Sequence, residues 1–315
     1  MSLAGQRTEP SPFSGYVLIL IAVSFWGGSA SLAKYLFASN VRIETLILSQ
    51  TRTTYSFLLL SLYFAVADRS VFRIQLRDTW KFVIIGVFGM AVTNFSYYYT
   101  VQESTVATAI LIQYTAPVLV MAYSVFVSKE EGLNFAKMAS LALAFIGCYL
   151  AVSSGSSSVI RLSGWALLTG ILSSLCFAFL LIASKRILKR YSTWTMLIYA
   201  FGFAALFWLV VNPPWVIVEE GYTPGDWGVL FFFAIVSILI PHSLFTTSLK
   251  HLEASTAGIA STMEPVIAIL IAYFALGESL SVIQMLGGMA VVMAIVLLQV
   301  KPERFLRLLG ARREV

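Results

Sequence analysis

The chain is organised as long apolar runs separated by short polar clusters. Ten runs can be marked, at about 16–38, 44–67, 80–100, 103–127, 133–153, 163–186, 192–212, 226–248, 253–276 and 280–300. Each is near the roughly 20 residues a helix needs to cross the hydrocarbon core of a bilayer. Strands of a membrane barrel would instead alternate over segments of roughly 10 residues. The pattern therefore predicts an all-α integral membrane protein with ten transmembrane helices. The polar start, MSLAGQRTEPSPFSG (1–15), reads as a short disordered cytoplasmic tail and carries no signal-peptide core with a cleavage site. The end, 301–315, reads as a basic cytoplasmic tail.

Composition sharpens this picture. Apolar residues make up 59% of the chain and charged residues 11%, with a mean hydropathy of +0.86. Soluble domains carry about 25% charged residues, so little of this chain is left over for a soluble domain. The net charge of +6 raises the question of nucleic acid, but its distribution answers it. Ten spans return both termini to one side. With that side cytoplasmic, Arg69, Arg73, Arg77, Lys81, Lys129, Lys137, Lys185, Arg186, Lys189, Arg190, Lys250 and the basic tail all fall there. Only Arg42 and Arg161 fall outside. This is the positive-inside bias of an inner-membrane protein, with an added attraction to anionic lipid, and no nucleic-acid partner is implied. Trp80, Trp165, Trp194, Trp215 and Trp227 sit near span ends, as an interfacial belt does. The thiols Cys148 and Cys176 fall inside spans and read as packing residues, with no metal motif and no cofactor.

The runs also repeat. TVATAILIQYTAPVLVMAYSVFVSKE (Thr105–Glu130) aligns without gaps on EASTAGIASTMEPVIAILIAYFALGE (Glu253–Glu278), matching Pro117 with Pro265 and Glu130 with Glu278. More weakly, FWGGSASLAKYL aligns on CFAFLLIASKRI, pairing Trp26 with Phe177 and Lys34 with Lys185. The chain thus reads as a five-helix repeat over 16–153, an external linker at 154–162 and a second repeat over 163–300. An odd number of spans forces the second copy to enter the membrane from the opposite face. Inverted repeats of this kind hold their substrate near the midplane, between the halves, where helices are broken. The matched prolines, Pro117 and Pro265, are the candidate breaks and gates.

Trp26 with Gly27 in span 1, Arg52 in span 2 and the doubled proline-to-glutamate pattern closing spans 4 and 9 carry a family likeness. Together they resemble the drug/metabolite transporter superfamily, specifically its EamA-type ten-helix exporters. The resemblance covers the chain from about Gly15 to Val300. It implies a basket of helices around a central cavity and export of small metabolites, often amino acids, by alternating access. The second half departs from the pattern, with Phe177 and Ala178 in place of Trp26 and Gly27.

Ionisable groups inside a bilayer are expensive and are functional candidates by default. Glu264 lies about 11 residues into span 9, roughly 16 Å deep, and Arg52 about 8 residues into span 2, roughly 12 Å deep. Their similar depth supports two readings. Either Glu264 binds a substrate cation or a coupling proton while Arg52 takes a carboxylate, or the two form a static ion pair. His242 aligns with Asn94 between the halves, so both are expected at the cavity, and a histidine can shuttle protons. Trp26, Tyr98, Gln113, Tyr114, Phe177 and Tyr199 supply aromatic and amide groups for a cage. Short loops, with no phosphate loop, nucleophile elbow or zinc motif, make this a secondary transporter rather than an enzyme. A monomer exporting amino acids is the leading expectation. An organic-cation or drug carrier, and a non-transporting receptor or scaffold, are the alternatives.

Overall fold

The computed structural model describes residues 11–38, 43–152, 163–276 and 281–299. Among the described residues every regular element is helical. In chain order these are α1 (Pro12–Ala38), α2 (Thr45–Ala67), α3 (Leu76–Glu103), α4 (Val106–Gln113) and α5 (Ala116–Ala122). Then come α6 (Phe135–Val152), α7 (Gly164–Ile187), α8 (Thr193–Val211), α9 (Pro214–Glu219) and α10 (Pro224–Ser248). Last are α11 (Ala254–Ser261), α12 (Met263–Leu276) and α13 (Val282–Gln299).

Among the described residues six segments are long and apolar enough to cross a membrane unaided, including α3, α7, α8 and α10; α6 and α13 are shorter apolar helices. The chain is a multi-pass membrane protein, and α2 shows why hydropathy alone underrates some of its helices. Thr45, Ser49, Gln50, Thr51, Arg52, Thr53 and Ser56 all point inward and are buried. Leu58, Leu62, Tyr63 and Val66 of the same helix are exposed. This inside-out arrangement suits lipid as the surrounding solvent, because the polar groups find partners only within the protein.

The two matched prolines sit where the sequence places the breaks. Pro117 is the second residue of α5, after a turn at Tyr114 and Thr115 that ends α4. Pro265 is the third residue of α12, after a turn at Thr262 that ends α11. Each lacks the N–H that would bond the carbonyl four residues back, so the expected single spans are each two helices. Wide π-helical turns at Ile85–Val92, Tyr123–Val127 and Ile235–Leu239 loosen α3, the end of α5 and α10. The segment between the seventh and eighth apolar runs carries a further short helix, α9.

Close backbone contact holds the periphery to the centre. α13 lies along α6 so tightly that a Cβ on Gly287 would collide with the backbone of Ala151. α1 runs through the middle and packs on α10, α11 and α12. Its Gly27 lets the backbone of Glu264 approach, since a Cβ there would stand 3.1 Å from the Glu264 carbonyl oxygen.

Basic links meet at one end of the bundle. Arg190 pairs with Asp78 at 3.0 Å and Lys189 with Glu130 at 2.9 Å. Lys137 bridges Glu131 at 3.2 Å and Glu253 at 2.5 Å. Glu131 also accepts from the Ser255 N–H and hydroxyl, capping the start of α11. Residues 1–10, Arg42, the 154–162 linker, Arg161, Glu278 and the 301–315 tail lie outside the described residues, as does the Lys34 side chain; residues 12–15, read from sequence as part of a disordered tail, are instead the first turn of α1.

Candidate functional site

Proline chemistry builds the centre of the molecule. Pro265 cannot donate to the Ser261 carbonyl, and the Tyr114 hydroxyl donates to it instead, at 2.6 Å. The same hydroxyl contacts Glu264 Oε2 at 2.7 Å. The break in one half is thereby stitched to the break in the other, because Tyr114 ends α4 and Ser261 ends α11. Pro241 in α10 acts likewise. It cannot serve the Ser237 carbonyl, which accepts from Arg52 Nη2 at 2.9 Å, while Arg52 Nε donates to the Ser237 hydroxyl at 2.7 Å.

Arg52 is 1% exposed. Its guanidinium lies 4.4 Å from the Tyr98 ring centroid and 5.3 Å from that of Phe233. This is a cation–π setting that holds the charge without neutralising it. Nη1 has no hydrogen-bond partner among the described residues. No ion pair joins Arg52 to Glu264, so the static-pair reading is overturned: each charge is held by its own polar and aromatic partners. Both groups nonetheless line one cavity.

That cavity has walls from both halves of the chain. Trp26, Ser29, Arg52, Thr93, Asn94 and Tyr97 form part of it, with Tyr98, Gln113, Tyr114, Phe177, His242 and Glu264. Trp26 is the hub of an aromatic cluster, with ring centroids 5.2 Å from His242, 5.1 Å from Phe245 and 6.3 Å from Phe177. His242 Nδ1 has no hydrogen-bond partner among the described residues. Gln113 reaches the Ser173 hydroxyl at 3.2 Å, and the Asn94 amide donates to the Met90 carbonyl at 2.7 Å. The free space is about 50 Å³, room for a few water molecules, so a metabolite enters only if the walls move apart.

Nine of the ten side chains nominated from sequence stand together here. Tyr199 does not. Its hydroxyl donates to the Phe72 carbonyl at 2.7 Å, its ring packs on Phe82 and Phe203, and it lines a separate apolar groove on the lipid-facing side. Ser29, Thr93 and Tyr97 were missed, although Ser29 lies three residues after Trp26, Tyr97 three after Asn94, and Thr93 four before Tyr97. Among the described residues no cluster of His, Cys, Asp or Glu could hold a metal ion.

The comparisons with known proteins agree with one another. The sequence profile of the EamA-like transporter family matches twice, over residues 13–153 and 164–300. An uncharacterized transporter of Archaeoglobus fulgidus is 29% identical over 83% of this chain and 89% of its own. The threonine/homoserine exporter RhtA of Escherichia coli K12 is 26% identical over 88% of each chain. The uncharacterized inner membrane transporter YicL of Salmonella typhimurium is 22% identical over 92% of this chain and 96% of its own. One crystal structure superposes with a TM-score of 0.73 over 93% of this chain and 99% of that one; at 18% identity it speaks for the fold alone.

Proposed function

The chain belongs to the EamA-like transporter family and is a transporter rather than an enzyme, and from that premise we propose that it exports zwitterionic amino acids across the inner membrane by alternating access. One observation carries the reading: a buried cation and a buried carboxylate share one cavity without pairing to each other. A zwitterion fits both. Its carboxylate goes to the vacant Nη1 of Arg52, and its ammonium to Glu264. A pair already closed on itself would offer nothing to such a ligand. The likeness to a threonine/homoserine exporter supports the same substrate class.

The scaffold we propose is ten spans in two inverted five-helix repeats, with both termini cytoplasmic, the chain acting as a monomer. The double family match and the paired proline breaks support it. Pro117 and Pro265 then serve as pivots, letting α5 and α12 swing on α4 and α11 while the cavity opens to one side or the other.

Glu264 also takes the coupling proton. The Tyr114 hydroxyl has one hydrogen but sits between two acceptors, the Ser261 carbonyl and Glu264 Oε2. A proton on Glu264 resolves this, since Glu264 then donates to Tyr114 and Tyr114 to Ser261. Substrate ammonium and proton would compete for one carboxylate, which is the logic of exchange. Aromatic rings around Trp26 would also suit an organic cation, but the Arg52 charge would repel it. Flux of amino acids in proteoliposomes separates the two: Arg52→Leu stops an amino acid exporter and leaves a cation carrier running.

A further inference from the structure

A second cavity, distinct from the central one, opens sideways between the first turns of α3, the end of α5 and the last four turns of α7. Its volume is about 680 Å³. Leu175, Phe179 and Ile182 of α7 face Ile84 and Ile85 of α3 across it, with Leu119 of α5 alongside. The spacing on α7 continues to Arg186, so a single helix face runs from apolar depth to a cation. Trp80, Leu119 and Leu175 are exposed, so the slot faces hydrocarbon rather than the protein interior.

Its mouth has the opposite character. Lys81, Arg186 and Arg190 stand at the rim with one acid, Asp78. Asp78 accepts from Lys81 at 2.8 Å and from the Tyr191 hydroxyl at 2.6 Å, and pairs with Arg190 at 3.0 Å. These bonds fix its carboxylate at the rim. Arg186 forms no ion pair among the described residues, and its guanidinium rests 5.2 Å from the Tyr123 ring centroid. Three cations against one carboxylate leave the mouth positive.

The positive-inside bias accounts for basic residues at this end. It does not account for an apolar slot directly beneath them. A free anion would satisfy the rim and leave the slot empty, and a neutral lipid would fill the slot and leave the rim unpaired. We propose that this groove is a binding site for an anionic phospholipid of the leaflet on the basic side, with its headgroup phosphate on Arg186, Lys81 and Arg190 and one acyl chain lying between α3 and α7. Basic pockets between transmembrane helices recognise anionic headgroups in this way. Because α3 and α7 also carry Asn94 and Phe177 to the central cavity, a bound lipid would brace two of its walls.

Trp80 in the groove is the reporter. The full chain is placed in phosphatidylcholine nanodiscs containing a minor fraction of either brominated phosphatidylglycerol or brominated phosphatidylcholine. The Trp80 signal is taken as the difference between the wild type and Trp80→Phe. Brominated phosphatidylglycerol is expected to quench Trp80 more strongly than brominated phosphatidylcholine at equal fraction. Arg186→Gln, at an exposed and unpaired position, should fold normally and lower that preference about fivefold, the equivalent of about 1 kcal/mol per basic residue. Ala183→Phe, which fills the slot, should reduce quenching by both lipids. Equal quenching by the two lipids in the wild type, or a preference that Arg186→Gln leaves unchanged, would overturn the proposal.

Discussion

Replacing Tyr114 with phenylalanine removes one oxygen and strands two partners. In the wild type that hydroxyl lies 2.6 Å from the Ser261 carbonyl and 2.7 Å from Glu264. The carbonyl has no helical partner because residue 265 is proline. A buried acceptor left unsatisfied costs about 1–3 kcal/mol, whereas cross-helix hydrogen bonds in membranes average about 0.6 and reach about 1.7. Tyr114→Phe is therefore expected to destabilise the fold by about 1–2 kcal/mol. The diagnostic is its coupling to Pro265→Ala. Alanine restores an N–H that can serve Ser261 itself, so in that background the loss of the hydroxyl should cost about 1 kcal/mol less. Equilibrium unfolding of the four proteins in mixed micelles measures the cycle. A coupling within about 0.3 kcal/mol of zero would show that the tyrosine does not replace the missing helical bond, and the account of the broken helices would fall.

Other substitutions test other contacts. Arg52→Met should change stability little, because relief of an unneutralised buried charge offsets the partner lost by the Ser237 carbonyl, while amino acid flux drops at least about tenfold, the equivalent of one lost charged hydrogen bond; loss of both together would indicate a merely structural arginine. Glu264→Gln keeps a donor for the Tyr114 oxygen, so the protein should fold, with flux no longer responding to an imposed pH gradient; a wild-type response would remove Glu264 from the coupling step. Tyr199→Phe should leave transport intact, since its hydroxyl serves only Phe72 away from the cavity; a marked loss of flux would contradict that placement.

Much of this was legible in the sequence. Apolar runs gave the helices because lipid demands them, and the ungapped repeat located both proline breaks. Midspan charges and the Asn94–His242 match pointed to one cavity because polar groups have nowhere else to go in a bilayer. What could not be read was which partner each group takes. Depth alone left an Arg52–Glu264 ion pair open, yet carbonyls released by Pro241 and Pro265 captured Arg52 and Tyr114 instead, a choice that depends on how the helices rotate against one another. Tyr199 fails for the same reason: an aromatic residue in a span can face substrate, neighbour or lipid, and composition does not distinguish them. Helix α9 was hidden because Pro214 at a helix start looks, in sequence, like loop punctuation.

The most direct test of the central claim is substrate flux in proteoliposomes, run with neutral amino acids and organic cations on wild type, Arg52→Leu and Glu264→Gln. The account predicts saturable movement of neutral amino acids by the wild type, lost in Arg52→Leu and uncoupled from the proton gradient in Glu264→Gln. Transport of organic cations that survives Arg52→Leu, with no amino acid flux in the wild type, would contradict it.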